Sequence, residues 1–261
     1  MKKVRYEIFP QGKKMCVTFS YDDGQLNDIR LYNLFKKYGL KATFNLNSCN
    51  IGRENYITEN DVKNMVADGF EIAVHSVAHP LLETLSDQII LNEILEDKRA
   101  LEKISGKIIF GMAYPMGTYD ANVINIAKKC GIKYSRTCKN NGFLMPEDFM
   151  EWGSTCHHRN MASFLPLPEQ WWHRIFYVWG HSYEFRTEEL WTEFEENLKK
   201  IAFRDDFWYA TNGEIYEYIT AQKALIYSAD MDMVYNPSAI DVWIKVDEVP
   251  VEIKAGQTVS I

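Results

Sequence analysis

Three short stretches concentrate the side chains that could do chemistry. Ser20-Tyr21-Asp22-Asp23-Gly24 sets two carboxylates side by side. Two carboxylates turned toward one pocket repel each other unless a cation lies between them or one is protonated. One carboxylate on a metal ion and the other free as a base resolves that cost. Asp-Asp-Gly is also good turn chemistry, which is the competing reading. His75-Ser76-Val77-Ala78-His79 spaces two imidazoles four residues apart, on one side of a helical turn. No Glu stands between them, so this is not the HExxH of a zinc protease. With Asp23 they make a three-ligand set that leaves positions open for water and substrate; the alternative is a pair of satisfied loop histidines. His181 closes the aromatic run Phe176–His181 and is suited to donate a proton near neutral pH. A structural bond from His181 to a backbone carbonyl is the other reading. His157 and His158 read as rim or surface, and His173 as packing.

The elements that must position these residues follow from apolar periodicity. Strand-like runs at 14–21, 42–46, 70–74, 108–113, 132–135, 149–152, 176–179 and 207–210 alternate with helical stretches at 28–38, 61–68, 86–104, 121–130 and 188–203. Repeated β-then-α units of this length imply a parallel sheet, because parallel strands need a helical crossover. With about seven such units, a closed or nearly closed barrel is expected over an open doubly wound sheet. Four of the runs end on polar or Gly/Pro clusters: Asp22-Asp23-Gly24, His75–Pro80, Tyr114-Pro115-Met116-Gly117 and Gly180-His181-Ser182. Parallel β/α folds assemble their sites at the C-terminal ends of strands, so these four clusters should converge. After residue 220 the pattern changes. Ile240, Val242, Ile244 and Val246 alternate with polar residues, as do Val249, Val251 and Ile253, which reads as antiparallel hairpins. The expected division is a (β/α) barrel over 1–220 and a small β element over 221–261.

Composition narrows the setting. The 29 basic and 36 acidic residues give a net charge of −7 without a block of like charge, which argues against a nucleic-acid footprint. The 14 Phe, 15 Tyr and 7 Trp argue against disorder. The basic opening lacks the apolar run of a signal peptide, and no stretch approaches the roughly 18 apolar residues of a membrane span. Five cysteines with no CxxC pair read as buried small hydrophobes in a reducing compartment, so a cytoplasmic location is expected.

On these residues the chain resembles the polysaccharide deacetylase family, the NodB-homology or carbohydrate esterase 4 group. SYDDG at 20–24 is similar to the family's TFDDG, HSVAH at 75–79 to its HSxxH, AYPMG at 113–117 to its RxPYG, and Trp179-Gly180-His181 to its late hydrophobic-x-His. The resemblance implies a distorted (β/α) barrel that removes N- or O-acetyl groups from sugars with a divalent metal. Zinc is the first choice, with cobalt, nickel, manganese and iron as the others. Carried over, it puts the metal on Asp23, His75 and His79, the base that activates a water in Asp22, and the acid in His181. It assigns oxyanion stabilisation to the backbone N–H of Met116, within Tyr114-Pro115-Met116. Trp152 and Trp179 are the expected walls of an acetyl-sized pocket.

Departures from the family pattern leave roles to fill. Ala113 stands where the family has an Arg that orients the base; Arg136 and Arg159 are the candidates to replace it. Met116 replaces a Tyr, and the Asp that tunes the acid has no clear counterpart beyond Glu151. The expected partner is an acetylated carbohydrate or small molecule. Two rival functions stand beside this one. A carbohydrate-binding pseudoenzyme is motivated by the missing Arg, and a non-haem iron oxygenase by the two-His-one-carboxylate set.

Overall fold

A computed structural model describes residues 3–6, 8–167 and 174–261. His173 therefore lies outside the described residues. A short strand, β1 (Val4–Arg5), precedes nine parallel strands. These are β2 (Met15–Asp22), β3 (Ala42–Leu46), β4 (Glu71–Val74), β5 (Gly111–Ala113), β6 (Tyr134–Asn140), β7 (Trp152–Ser154), β8 (Cys156–His157), β9 (Arg174–His181) and β10 (Phe207–Tyr209). Helices α1 (Asp28–Lys37), α2 (Glu59–Ala67), α3 (Asp87–Ser105), α4 (Ala121–Lys129), α5 (Glu188–Ile201) and α6 (Asn212–Lys223) cross between or follow them. The helix α6 and the strand β8 are absent from the periodicity reading. Helix α6 nevertheless announces itself in Thr211 and Glu214, whose reciprocal bonds form a capping box at its start.

Side chains of a strand alternate between its faces, and β2 shows what this produces when both faces are buried. Met15, Val17, Phe19 and Tyr21 point out under the helices, packing with Leu31 and Phe35 of α1 and Phe194 of α5. The Phe19 and Phe35 rings lie 4.6 Å apart. Cys16, Thr18, Ser20 and Asp22 point inward, in register with Ile175, Tyr177, Trp179 and His181 of β9. The interior is bonded in tiers. Thr18 Oγ1 donates to Asn212, whose Nδ2 donates to the Tyr177 hydroxyl at 2.5 Å. Glu71 accepts from the Thr43 and Tyr134 hydroxyls, each at 2.7 Å. At the upper tier Asn45 Nδ2 donates to Ser20 and Asp22.

The sheet runs in the order β7-β6-β5-β4-β3-β2-β9-β8, with β10 beside the start of β2. Its two ends are one extended segment interrupted at Thr155, and this closes the ring. On one side Ser154 carbonyl accepts from Asn141 N–H. On the other, Thr155 N–H donates to Tyr177 carbonyl at 2.8 Å, and Thr155 Oγ1 accepts from Tyr177 N–H and donates to Ile175 carbonyl.

The tail forms β11 (Ile226–Tyr227), β12 (Met233–Tyr235), β13 (Val242–Val246), β14 (Val249–Ile253) and β15 (Thr258–Ser260). They make two three-stranded antiparallel sheets, β1-β13-β14 and β11-β12-β15, around Val234, Ile244 and Ile253. The N-terminal strand thus belongs to the tail sheet, a pairing 240 residues distant that no local pattern announces. Gln222 of α6 ties it to the main body by donating to the carbonyls of Ile8 and Trp243. Among the described residues no helix is long and apolar enough to cross a membrane.

The seam at Thr155 supports a test. Thr155→Val keeps the volume but leaves a buried amide and a buried carbonyl of β9 unpaired. It should destabilise the fold by about 1–3 kcal/mol in urea unfolding; an unchanged midpoint would show that the seam does not hold the ring.

Candidate metal and proton-transfer site

β2, β4, β5 and β9 deliver their C-terminal residues to one mouth of the barrel. Asp22 ends β2 level with Asn45 and His181. Asp23 turns out of the strand with φ 79°, a left-handed conformation that a short polar side chain tolerates. His75 follows β4, and its Nδ1 lies 2.8 Å from the Ala113 carbonyl at the end of β5. A carbonyl only accepts, so Nδ1 carries the proton and the Nε2 lone pair faces the mouth.

That Nε2 is buried and has no hydrogen-bond partner. It lies 3.6 Å from Asp23 Oδ1, and His79 Nε2 lies 3.7 Å from the same oxygen. All three ligand atoms fall within 4.8 Å of one another. Burial lowers the His75 pKa despite the aspartates, which keeps the ring neutral and able to ligate. An orphaned imidazole lone pair facing a carboxylate and a second imidazole fits a divalent cation.

Asp22 behaves differently. It is 2% exposed, and burial alone would favour its neutral form. Arg136, fully buried, pairs with its Oδ2, His75 and His181 add positive charge, and Asn45 Nδ2 donates to Oδ1 at 2.8 Å. Together they outweigh burial and hold the carboxyl below its ordinary pKa. Arg136 on β6 sits in register with Ala113 on β5, so the cation is supplied from one strand over. Its guanidinium also covers the Trp179 ring, 4.5 Å from the centroid. Arg159, the other candidate, instead reaches Glu184 at 2.9 Å.

His181 Nε2 lies 3.8 Å from Asp22 Oδ2 and 4.0 Å from Asp23 Oδ2. Its Nδ1 faces Glu184 Oε1 at 3.7 Å. Burial pulls the His181 pKa down, but Glu184 and the two aspartates outweigh it and raise the value above that of an ordinary histidine. Glu184 was not singled out from the sequence, although its place one turn after His181 is a legible signal. Glu151 is not the partner: it bonds Tyr119 and Lys139 at the surface.

A second cluster, His157, His158 and Glu184, also has ligand spacing. The His157 tautomer argues against a cation. Arg159 N–H donates to His157 Nδ1, so the proton sits on Nε2, which meets Glu184 Oε2 at 2.8 Å. His158, with a pKa pushed down to about 3 by burial and by His157, stays neutral. His157 is half-buried beside Trp179 and His181, but His158 is not a rim residue. His158 is 6% exposed, stacked between Tyr21 and Phe185, with Gly180 so close that a Cβ there would overlap its Nδ1.

The remaining expectations divide. Trp179 borders the mouth, 5.7 Å from the His181 ring. Trp152 does not: it is fully buried among Tyr134, Phe149 and Tyr177, because its strand position points it into the barrel below the site. Tyr114 is also buried, donating to the Met150 carbonyl and stacking on Tyr119, and Pro115 is buried with it. Met116 has φ 57° and is 61% exposed, with its backbone at the tip of the turn.

Residues 10–135 match the polysaccharide deacetylase family model. The chain is 29% identical over 134 residues to Bacillus subtilis YxkH, whose name places it among polysaccharide deacetylases; the match covers 50% of this chain and 48% of that protein. It is 26% identical over 129 residues to a Bacillus cereus peptidoglycan-N-acetylglucosamine deacetylase, covering 49% of this chain and 58% of that one. The chain thus spans about half the length of the curated relatives it matches. A Mycobacterium smegmatis crystal structure assigned to the same class superposes with a TM-score of 0.65 over 85% of this chain and 96% of its own, at 16% identity, which bears on the fold. Over residues 10–135 the chain thus matches the polysaccharide deacetylase family.

Proposed function

We propose that this protein is a metal-dependent hydrolase that removes acetyl groups from a carbohydrate or related small molecule, an N-acetyl amide or an O-acetyl ester. The observation that carries this reading is that Asp22 and His181 both lie within about 4 Å of the Asp23–His75–His79 set, Asp22 4.0 Å from His75 and His181 4.0 Å from Asp23. When bound there, a divalent cation, zinc first among the candidates, supplies Lewis-acid polarisation of the acetyl carbonyl and acidifies water.

The chain's own residues supply proton transfer and orientation. Asp22, held ionised by Arg136 and Asn45, takes a proton from the attacking water at Oδ2. His181 Nε2 delivers a proton to the departing nitrogen or oxygen. Glu184 Oε1 faces His181 Nδ1 at 3.7 Å, and its negative charge favours the protonated ring whose Nε2 borders the mouth. Glu184 is itself gripped by His157 and Arg159. The Met116 N–H is the proposed donor to the developing oxyanion. Tyr183, 41% exposed and 5.1 Å from the His181 ring, offers an aromatic face for a sugar beside the acid.

The rival functions fit the residues less well. The pseudoenzyme reading was motivated by the missing Arg, and Arg136 now meets Asp22. An oxygenase would use Asp23, His75 and His79 but leave Asp22 and His181 without tasks.

Two measurements test the proposal. In an acetate-release screen over chitooligosaccharides, peptidoglycan fragments and acetylated xylan, Asp22→Asn should lower turnover by about 10²–10⁴-fold while zinc stays bound. Undiminished turnover in that variant would remove Asp22 from the role of base. Glu184→Gln removes a group that raises the His181 pKa, and the acid must be protonated to act. The alkaline limb of the kcat profile should therefore move to lower pH; an unmoved limb would separate Glu184 from the acid.

A further inference from the structure

Helix α3 buries Ile90, Ile94, Asp97 and Leu101 on one stripe, so a carboxylate occupies a core position. Asp97 is fully buried. A carboxylate there costs desolvation unless its oxygens are met by donors. Here the donors are backbone amides: Ser48 N–H to Oδ1 at 2.7 Å and His75 N–H to Oδ2 at 3.0 Å. The His75 N–H is shared with the Leu46 carbonyl at 3.2 Å.

Other bonds to the same loop come from two sides. Asn47, also buried, donates from Nδ2 to the carbonyls of His75 and Ser76 at 2.6 and 2.9 Å. From α3, the Glu93 carbonyl accepts from Val77 N–H and its carboxylate from Ala78 N–H at 2.9 Å. The loop needs this much hold. Ser76 and His79 both have positive φ, 63° and 59°, a conformation disfavoured for residues with a Cβ. Such residues persist where surrounding contacts over-determine them. The imidazoles of His75 and His79 are carried by this strained backbone, and a shift of its N-terminal end moves the orphaned His75 Nε2 away from Asp23.

We propose that Asp97 is a positioning residue for the cation site: by fixing the His75 main chain from inside α3, it sets the affinity of Asp23, His75 and His79 for a divalent cation. The inference rests on reading those three residues as the ligands. It concerns binding by the apoprotein and is separable from turnover.

The test is the zinc dissociation constant of the full chain, stripped with a chelator and titrated against a chromophoric competitor. Circular dichroism and the apoprotein unfolding midpoint are measured alongside. Asp97→Asn keeps the volume but turns one acceptor into a donor facing an amide. Zinc binding by that variant, folded, should be about ten- to hundredfold weaker, the usual effect of losing an outer partner of a metal ligand. A merely structural role would lower the apoprotein midpoint and leave the dissociation constant within twofold, which would overturn the proposal. If Asp97→Asn does not fold, Asn47→Ser provides the reading. Weaker zinc binding there supports the loop clamp, and wild-type affinity overturns it. Failure of the wild-type protein to bind zinc would instead overturn the ligand assignment on which the inference rests.

Discussion

A guanidinium and a carboxylate, both out of water, face each other across the barrel from β6 and β2. Neither charge could stand in that interior alone, since an unpaired buried ion is among the most costly features a core can hold. The pair therefore constrains much around it. Asn45 must satisfy the second carboxylate oxygen, Trp179 must lie flat against the guanidinium, and the ring of strands must close tightly enough to exclude solvent. Charge at Asp22 is preserved where burial would otherwise neutralise it, and the same geometry leaves Asp22 beside His75 and His181.

The two histidine clusters show how little spacing alone decides. Both place two imidazoles and a carboxylate within ligand range. The difference lies in what the other ring nitrogen meets. A carbonyl behind His75 Nδ1 holds the proton there and frees Nε2, whereas a backbone amide behind His157 Nδ1 forces the proton onto Nε2 and turns that ring into a donor. One cluster is left able to receive a cation. The other holds Glu184 by close charged contacts, and Glu184 in turn stands behind His181.

Much of the fold was legible. Strand runs and helix stops at Gly39, Gly69, Gly106 and Gly131 reflect local backbone preferences, and each of these glycines has the left-handed conformation expected just past a helix. The misreadings share one cause. Trp152 and Tyr114 are aromatic residues next to site motifs, and nearness in sequence does not say which face of a closed sheet a side chain takes. His158 looked like surface because a histidine pair has no periodicity; three aromatic neighbours from distant segments bury it. Asp97 was hidden within an apolar stripe whose spacing it matched.

The sequence by itself determined the residue types at the strand ends, the ligand spacing of His75 and His79, and the β/α alternation that gathers strand ends on one side, because these depend on contacts a few residues apart. Tertiary structure decided which arginine meets Asp22 across 114 positions, which carboxylate stands behind His181, and which imidazole keeps a free lone pair. Those outcomes depend on ring closure and on the face each strand residue takes, and both are set only when distant strands pair.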